Sequence, residues 1–185
     1  MKSLDRFSLR PATRVPAGVR TVVEPMRRRD LPEVMRIEQV SYPSPWSAEV
    51  FRSEIARVPR GDRHYLVLRR GGALLGYGGL MFAVDEAHVT NVAVSPDHQR
   101  QGLATRVLAE LSWHAVARGS VGLTLEVRVS NVAAQGLYRR FGFESAGVRV
   151  RYYENTEDAM VMWCHGIQSD EFAARLRSVC PEAAR

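Results

Sequence analysis

An α/β fold with a mixed sheet and helices on both faces is predicted for this chain by three observations. The first is the order of elements, β-α-α-β-β-β-α-β-α-β-β, with no internal repeat. The second is a hairpin signal around Arg70-Gly71-Gly72. The third is a strand-turn-helix passage from Val92 to Thr105, where an alternating pattern gives way to a helical one.

The elements follow in chain order. Val19 to Glu24 is short and β-branched and is expected as a strand. Asp30-Leu31-Pro32-Glu33 then offers an N-cap, an early-turn proline and a capping-box glutamate for a first helix, with Leu31, Val34 and Met35 apolar. That helix stops by Tyr42, because Pro43 and Pro45 forbid its continuation. Ser47 caps a second helix with Val50, Phe51, Ile55 and Val58 on one face. His64 to Arg69 and Ala73 to Val84 are expected as antiparallel strands, and a further strand runs from about His88 to Val94. The next helix places Leu103, Val107, Leu108 and Leu111 on one side and turns Arg106, Glu110 and Arg118 outward. Val121 to Val129 alternates as a strand, and Asn131 caps a short helix carrying Val132, Leu137 and Phe141, ended by Gly142. Phe143 to Tyr153 and Asp158 to His165 complete the sheet around Glu154-Asn155-Thr156. Beyond them the sequence is too mixed to place, apart from a helical turn or two in Phe172 to Val179.

The 185 residues, 45% apolar and 25% charged, are enough for one domain with its own core. The longest mostly apolar stretch, Leu74 to Val84, is interrupted by Gly76, Gly78 and Gly79 and is too short to cross a bilayer. The amino terminus lacks the apolar region and cleavage site of a secretory signal, so a cytoplasmic protein without membrane contact is expected. Cys164 and Cys180 lie far apart, with no CxxC, which argues for reduced thiols and against a metal site. The net charge is +6, of which +4 falls in residues 1–20, leaving +2 for the remainder. Direct nucleic-acid binding by the domain is therefore not expected. Residues 1–18 are expected to be a basic, flexible extension, residues 19–165 the functional domain and residues 166–185 a tail. The extension admits three readings: a ribosome-touching arm, a transit segment or a mis-assigned start.

Chemistry concentrates at Val92-Ala93-Val94-Ser95-Pro96-Asp97-His98-Gln99-Arg100-Gln101-Gly102-Leu103-Ala104-Thr105. A strand that ends in a turn before a helix of small residues leaves backbone N–H groups unpaired at the positive end of the helix dipole, where phosphate oxygens can approach. No GKS, GKT or GxGxxG occurs, so this is neither a Walker loop nor a dinucleotide fingerprint. Spacing alone leaves an ordinary strand-to-helix turn equally open.

The segment Gln99-x-x-Gly102-x-Ala104, after Asn91-Val92-Ala93-Val94, resembles the acetyl-coenzyme A pyrophosphate loop of the Gcn5-related N-acetyltransferase (GNAT) superfamily. Asp85-Glu86-Ala87, Leu125-Glu126-Val127-Arg128-Val129-Ser130-Asn131, Leu137-Tyr138, Gly142-Phe143, Pro45-Trp46-Ser47 and Tyr152-Tyr153 are similar to the ribosomal-protein-alanine N-acetyltransferase (RimI) subfamily. The resemblance runs from about Val22 to Met162. It implies the GNAT fold, with a mostly antiparallel mixed sheet, and an acetyl-CoA co-substrate without a metal. Val92, Ala93 and Val94 would pair with the pantetheine arm, while Arg100, Gln101, Gly102, Leu103, Ala104 and Thr105 would hold the pyrophosphate. Ala104 stands where glycine is commoner in the family. Asn131 matches a cofactor-contacting asparagine, although a plain N-cap explains it equally.

Acetyl transfer to an amine needs a base for the ammonium and an acid for the departing thiolate. By the resemblance, Glu126 is the base and Tyr138 the acid. Taken alone, Glu126 reads as a surface partner of Arg128 and Tyr138 as core filling. An α-amine has a reference pKa of about 8 against about 10.4 for lysine, which suits a single carboxylate base to a protein N-terminus. The resemblance therefore implies an Nα-acetyltransferase, with a peptide or ribosomal protein N-terminus as acceptor. A lysine or small-amine acetyltransferase, an acyl-CoA sensor and a ribosome-binding module are the alternatives. Glu86 is the expected second base and His88 an ordinary sheet histidine; His64, His98, His114 and His165 show no partner in the sequence. Glu38, Tyr42, Trp46, Tyr152 and Tyr153 are the candidates for the acceptor groove, although Trp46 also suits a packing plug.

Overall fold

The computed structural model describes residues 20–183; the expected extension, residues 1–18, lies outside them. Seven strands form one sheet: β1 (Thr21–Pro25), β2 (Arg63–Arg70), β3 (Ala73–Ala83), β4 (Glu86–Val94), β5 (Gly122–Arg128), β6 (Glu144–Tyr153) and β7 (Glu157–His165). Their order is β1-β2-β3-β4-β5-β7-β6, antiparallel throughout except for β4 against β5. Among the described residues the α-helices are α1 (Leu31–Ser41), α2 (Ala48–Arg57), α3 (Leu103–Ala117), α4 (Val132–Arg140) and α5 (Asp170–Val179).

The centre of the sheet is buried on both faces, as β2 makes clear. Tyr65 and Val67 point into a core with Val34, Ile37 and Phe51 of α1 and α2, while Leu66 and Leu68 point into a core with Val107, Leu108 and Leu111 of α3. A continuous apolar run, Tyr65 to Leu68, is what a strand buried on both faces requires. The glycines of β3 let the layers close: a Cβ at Gly78 would meet Val107 on α3, and one at Gly79 would meet the Tyr65 ring. The hairpin between β2 and β3 turns on Gly71 and Gly72, both at positive φ.

Helix caps match the sequence reading at two sites and depart from it at a third. Val50 N–H donates to Ser47 Oγ (3.3 Å) and Ala134 N–H to Asn131 Oδ1 (3.0 Å). Asp30, expected to cap α1, makes no side-chain cap there. Its carboxylate accepts from Arg27 N–H and pairs with Arg69, and Glu33 likewise turns to Arg69 (3.2 Å). The arginine of β2 outcompetes the local cap because it satisfies two partly buried carboxylates at once.

Other expectations need correction. Glu110 is buried rather than outward, in an ion pair with Arg106 at 2.8 Å. Val132 is 68% exposed, and Gln135 and Tyr138 form the buried face of α4. His64 and His114 stack at 3.5 Å and His165 stacks on Trp163 at 5.1 Å, so three of the four unassigned histidines have ring partners. The helical turn or two expected within the tail, in Phe172 to Val179, is a full helix, α5, which Ser169 caps and which buries Phe172 and Leu176 in the α3 core.

Candidate active site

The parallel pair β4–β5 is short, and that shortness creates a cleft. The strands pair only at Glu86↔Gly122, Ala87↔Leu123 and His88↔Thr124. Past that point β4 stays with β3 and β5 stays with β7. Thr90 is skipped in the β3–β4 register, which moves from Leu80↔Val89 to Gly79↔Asn91. Such a bulge increases local twist and bends its strand, turning β4 away from β5. Val92, Ala93 and Val94 thus lie on an edge with which no strand among the described residues pairs on the β5 side, a surface to which an extended polar chain can add as a further strand. The hydroxyl of Tyr42 donates to the Val92 carbonyl at 2.9 Å.

At the end of β4 the chain makes a short 3-10 turn over Pro96–His98 and enters α3 through Arg100 and Gly102, both with positive φ (61° and 76°). Gly102 is the N-cap and no side chain caps the helix; the first helical bond runs from Arg106 N–H to the Gly102 carbonyl at 3.0 Å. The N–H groups of Leu103, Ala104 and Thr105 therefore have no partner within the helix. A Cβ at Gly102 would meet nothing within 4 Å, so the approach is open. Gln101 accepts a hydrogen bond from Arg70 (3.1 Å), and Arg100 is exposed beside the helix end. Donors, dipole and charge together suit a pyrophosphate.

The cleft walls carry the acid-base candidates. Glu126 on β5 is 10% exposed at its side chain, with Oε2 3.1 Å from His88 Nε2 and Oε1 3.2 Å from Arg149 Nη2. Its expected partner Arg128 pairs instead with Glu154 (2.7 Å) and Glu157 (2.9 Å). Burial, opposed by Glu126 and reinforced by Arg149, holds the His88 imidazole below the usual histidine range. Tyr138 on α4 is buried against Phe143, and its hydroxyl makes no hydrogen bond among the described residues. Burial pushes that phenol far above the ordinary tyrosine value, with Tyr153 adding to the effect.

The acceptor-groove candidates divide. Tyr153 hydroxyl donates to the Glu126 carbonyl at 3.1 Å, and its pKa is pushed up to about 12, chiefly by burial. Tyr152 is 48% exposed and packs edge-on against Tyr153. Trp46 is half-buried on Phe51, the packing role the sequence left open. Glu38 faces the core rather than a groove: it accepts from Trp46 N–H (2.8 Å) and from the Tyr77 hydroxyl. Asn131 occupies its own side-chain oxygen in the N-cap of α4. Glu86 makes no side-chain hydrogen bond or ion pair among the described residues; its neighbour His88 is the residue that reaches Glu126. Sequence reasoning ranked those two in the opposite order and did not single out Arg149. The signal for both is the register across β4, β5, β7 and β6, which alternation within each strand does not reveal.

The open edge of β4 thus runs into an uncapped helix start, a strand-pairing surface followed by an anion-binding end. The chain belongs to the GNAT acetyltransferase family, whose pattern residues 31–143 match. It is 38% identical over 144 residues to the [ribosomal protein bS18]-alanine N-acetyltransferase of Escherichia coli (strain K12), covering 76% of this chain and 94% of that one. The crystal structure of the ribosomal-protein-S18-alanine N-acetyltransferase from Escherichia coli superposes with a TM-score of 0.74 at 34% identity, over 82% of this chain and 97% of that one. The NatC complex bound to Gag peptide and CoA shares the fold, with a TM-score of 0.70 at 19% identity over 78% and 98% of the two chains.

Proposed function

We propose that this chain moves the acetyl group of acetyl-CoA to the α-amine of a protein N-terminus in the cytoplasm, with an alanine-initiated ribosomal protein as acceptor. The observation that carries this reading is that one chain holds both a nearly buried carboxylate, Glu126, and a buried phenol with an uncommitted hydroxyl, Tyr138, while its relatives are named for that reaction. When bound, the thioester supplies the electrophilic acetyl carbon. Val92 to Val94 would align its arm along β4, the α3 start from Arg100 to Thr105 would hold its phosphates, and Asn131 would be a further contact to the co-substrate.

Glu126 takes a proton from the α-ammonium, and the amine forms the new N–C bond. As the C–S bond breaks, the Tyr138 phenol, kept protonated by its burial, gives its proton to the sulfur, and the second proton that the nitrogen sheds as the amide forms restores the phenol. At pH 7 about a tenth of a model α-amine is already unprotonated, against less than about a thousandth of a lysine amine. A carboxylate base thus favours N-termini over lysines. Trp46, Tyr42, Tyr152 and Tyr153 would border the acceptor, and Glu86 would lie further along β4.

Two measurements test this. Peptides with a free N-terminal alanine are expected to be acetylated, and peptides blocked there but carrying lysine are not; transfer to lysine alone overturns the reading. Replacing Gly102 with valine is expected to raise the KM for acetyl-CoA about tenfold with little change in kcat, because a β-branched residue strains the left-handed backbone by roughly 1–2 kcal/mol and projects into the phosphate approach. An unchanged KM removes the α3 start from the binding site.

A further inference from the structure

We propose that His88 is the positioning residue of the base: its neutral imidazole donates a hydrogen bond from Nε2 to Glu126 and fixes the carboxylate toward the cleft. The proposal rests on the reading of Glu126 as base. It starts from an asymmetry between the two partners of that carboxylate. Arg149, at Oε1, is 55% exposed on β6, the edge strand, where the register with β7 is broken between Arg149 and Tyr153. A long exposed side chain on an interrupted edge holds its partner weakly, since solvent screens the pair and ordering the chain costs entropy. An incoming α-ammonium competes with that guanidinium for the same carboxylate.

His88, at Oε2, is 22% exposed and sits at the last register pair before β4 and β5 part, opposite Thr124 and flanked by Met81 on β3. A ring with two rotatable bonds, on a strand paired on both sides, is a rigid support. The charged groups that act on it among the described residues are Glu126 on β5 and Arg149 on β6; its register partners Met81 and Thr124 are uncharged. As a neutral donor, His88 orients the carboxylate while leaving its negative charge for the ammonium, and it remains in place when Arg149 is displaced.

The test is steady-state kinetics with acetyl-CoA and an alanine-initiated peptide on the full chain, comparing His88→Leu, His88→Gln, His88→Asn and Glu126→Gln. His88→Leu and His88→Asn are expected to lower kcat about tenfold with the KM for acetyl-CoA unchanged, because a misaimed base forfeits orientation rather than binding. His88→Gln, whose longer amide reaches the carboxylate, is expected to return kcat to within about threefold of the parent, a rescue that a merely structural role does not produce. Combining His88→Leu with Glu126→Gln is expected to cost no more than Glu126→Gln alone. Full activity in His88→Leu beside an impaired Glu126→Gln overturns the positioning role, as does equal loss in the Gln and Asn variants. Full activity in Glu126→Gln overturns the base reading itself. If His88→Leu fails to fold, the Gln-against-Asn comparison decides.

Discussion

Replacing Tyr138 with phenylalanine lowers kcat for acetyl transfer by about a hundredfold or more, while acetyl-CoA binds as before, the loss expected when a positioned general acid is removed. The ring is buried against Phe143 in the α3 core, and phenylalanine fills the same volume. The missing atom is a hydroxyl that bonds to nothing among the described residues, so its removal leaves no broken hydrogen bond in the resting protein and stability should change by less than about 1 kcal/mol. That combination separates chemistry from folding. Tyr42, whose proton affinity burial raises first and Tyr138 and Tyr153 raise further, and Tyr153 already donate their hydroxyls to the Val92 and Glu126 carbonyls. Of the three phenols, Tyr138 alone has its proton uncommitted. The comparison to make is kcat and the dissociation constant for acetyl-CoA in Tyr138→Phe against the parent chain. Undiminished kcat would assign the thiolate's proton to another donor.

What the sequence discloses here depends on how local the determinant is. The strand-turn-helix passage from Val92 to Thr105, the caps Ser47 and Asn131 and the hairpin glycines are set by contacts within a few residues, and each is legible. The proposed roles of Glu126 and Tyr138 become legible only through resemblance, because the two residues come from different elements. Tertiary partners hide the rest. His88 acquires its role from a three-pair parallel register, and Arg149 from a sheet order in which β7 separates β5 from β6. Arg69 takes Asp30 and Glu33 away from the α1 cap their spacing advertises. Glu38 follows the same logic: a glutamate near the end of an amphipathic helix ordinarily faces water, and here Tyr77 and the Trp46 amide make an interior site for it.

That interior site makes Glu38 a pH-dependent determinant of stability. Burial raises its pKa from an ordinary 4.5 to about 7, against the opposing pull of the Trp46 N–H. Between those values the folded chain holds a proton that the unfolded chain has released, so ν_U is below ν_N and the stability slope with pH is negative. The contribution of Glu38 is therefore greatest below about pH 4.5, declines as pH rises to about 7 and is flat above it, a total of about 3 kcal/mol. Glutamine cannot titrate, yet its oxygen can accept from Trp46 N–H and its amide can donate to the Tyr77 hydroxyl. Glu38→Gln should match the parent chain near pH 5 and exceed it by about 2–3 kcal/mol at pH 8, measured as urea unfolding free energies. Other carboxylates cancel in that difference, and a pH-independent gap would remove Glu38 as its source. The same carboxyl pins the segment from Tyr42 to Trp46, whose first residue reaches the open edge of β4. The charge that weakens the fold above pH 7 is thus also the one that holds this segment beside the cleft with its strongest acceptor, so the glutamine variant should gain stability while loosening the loop that borders the site.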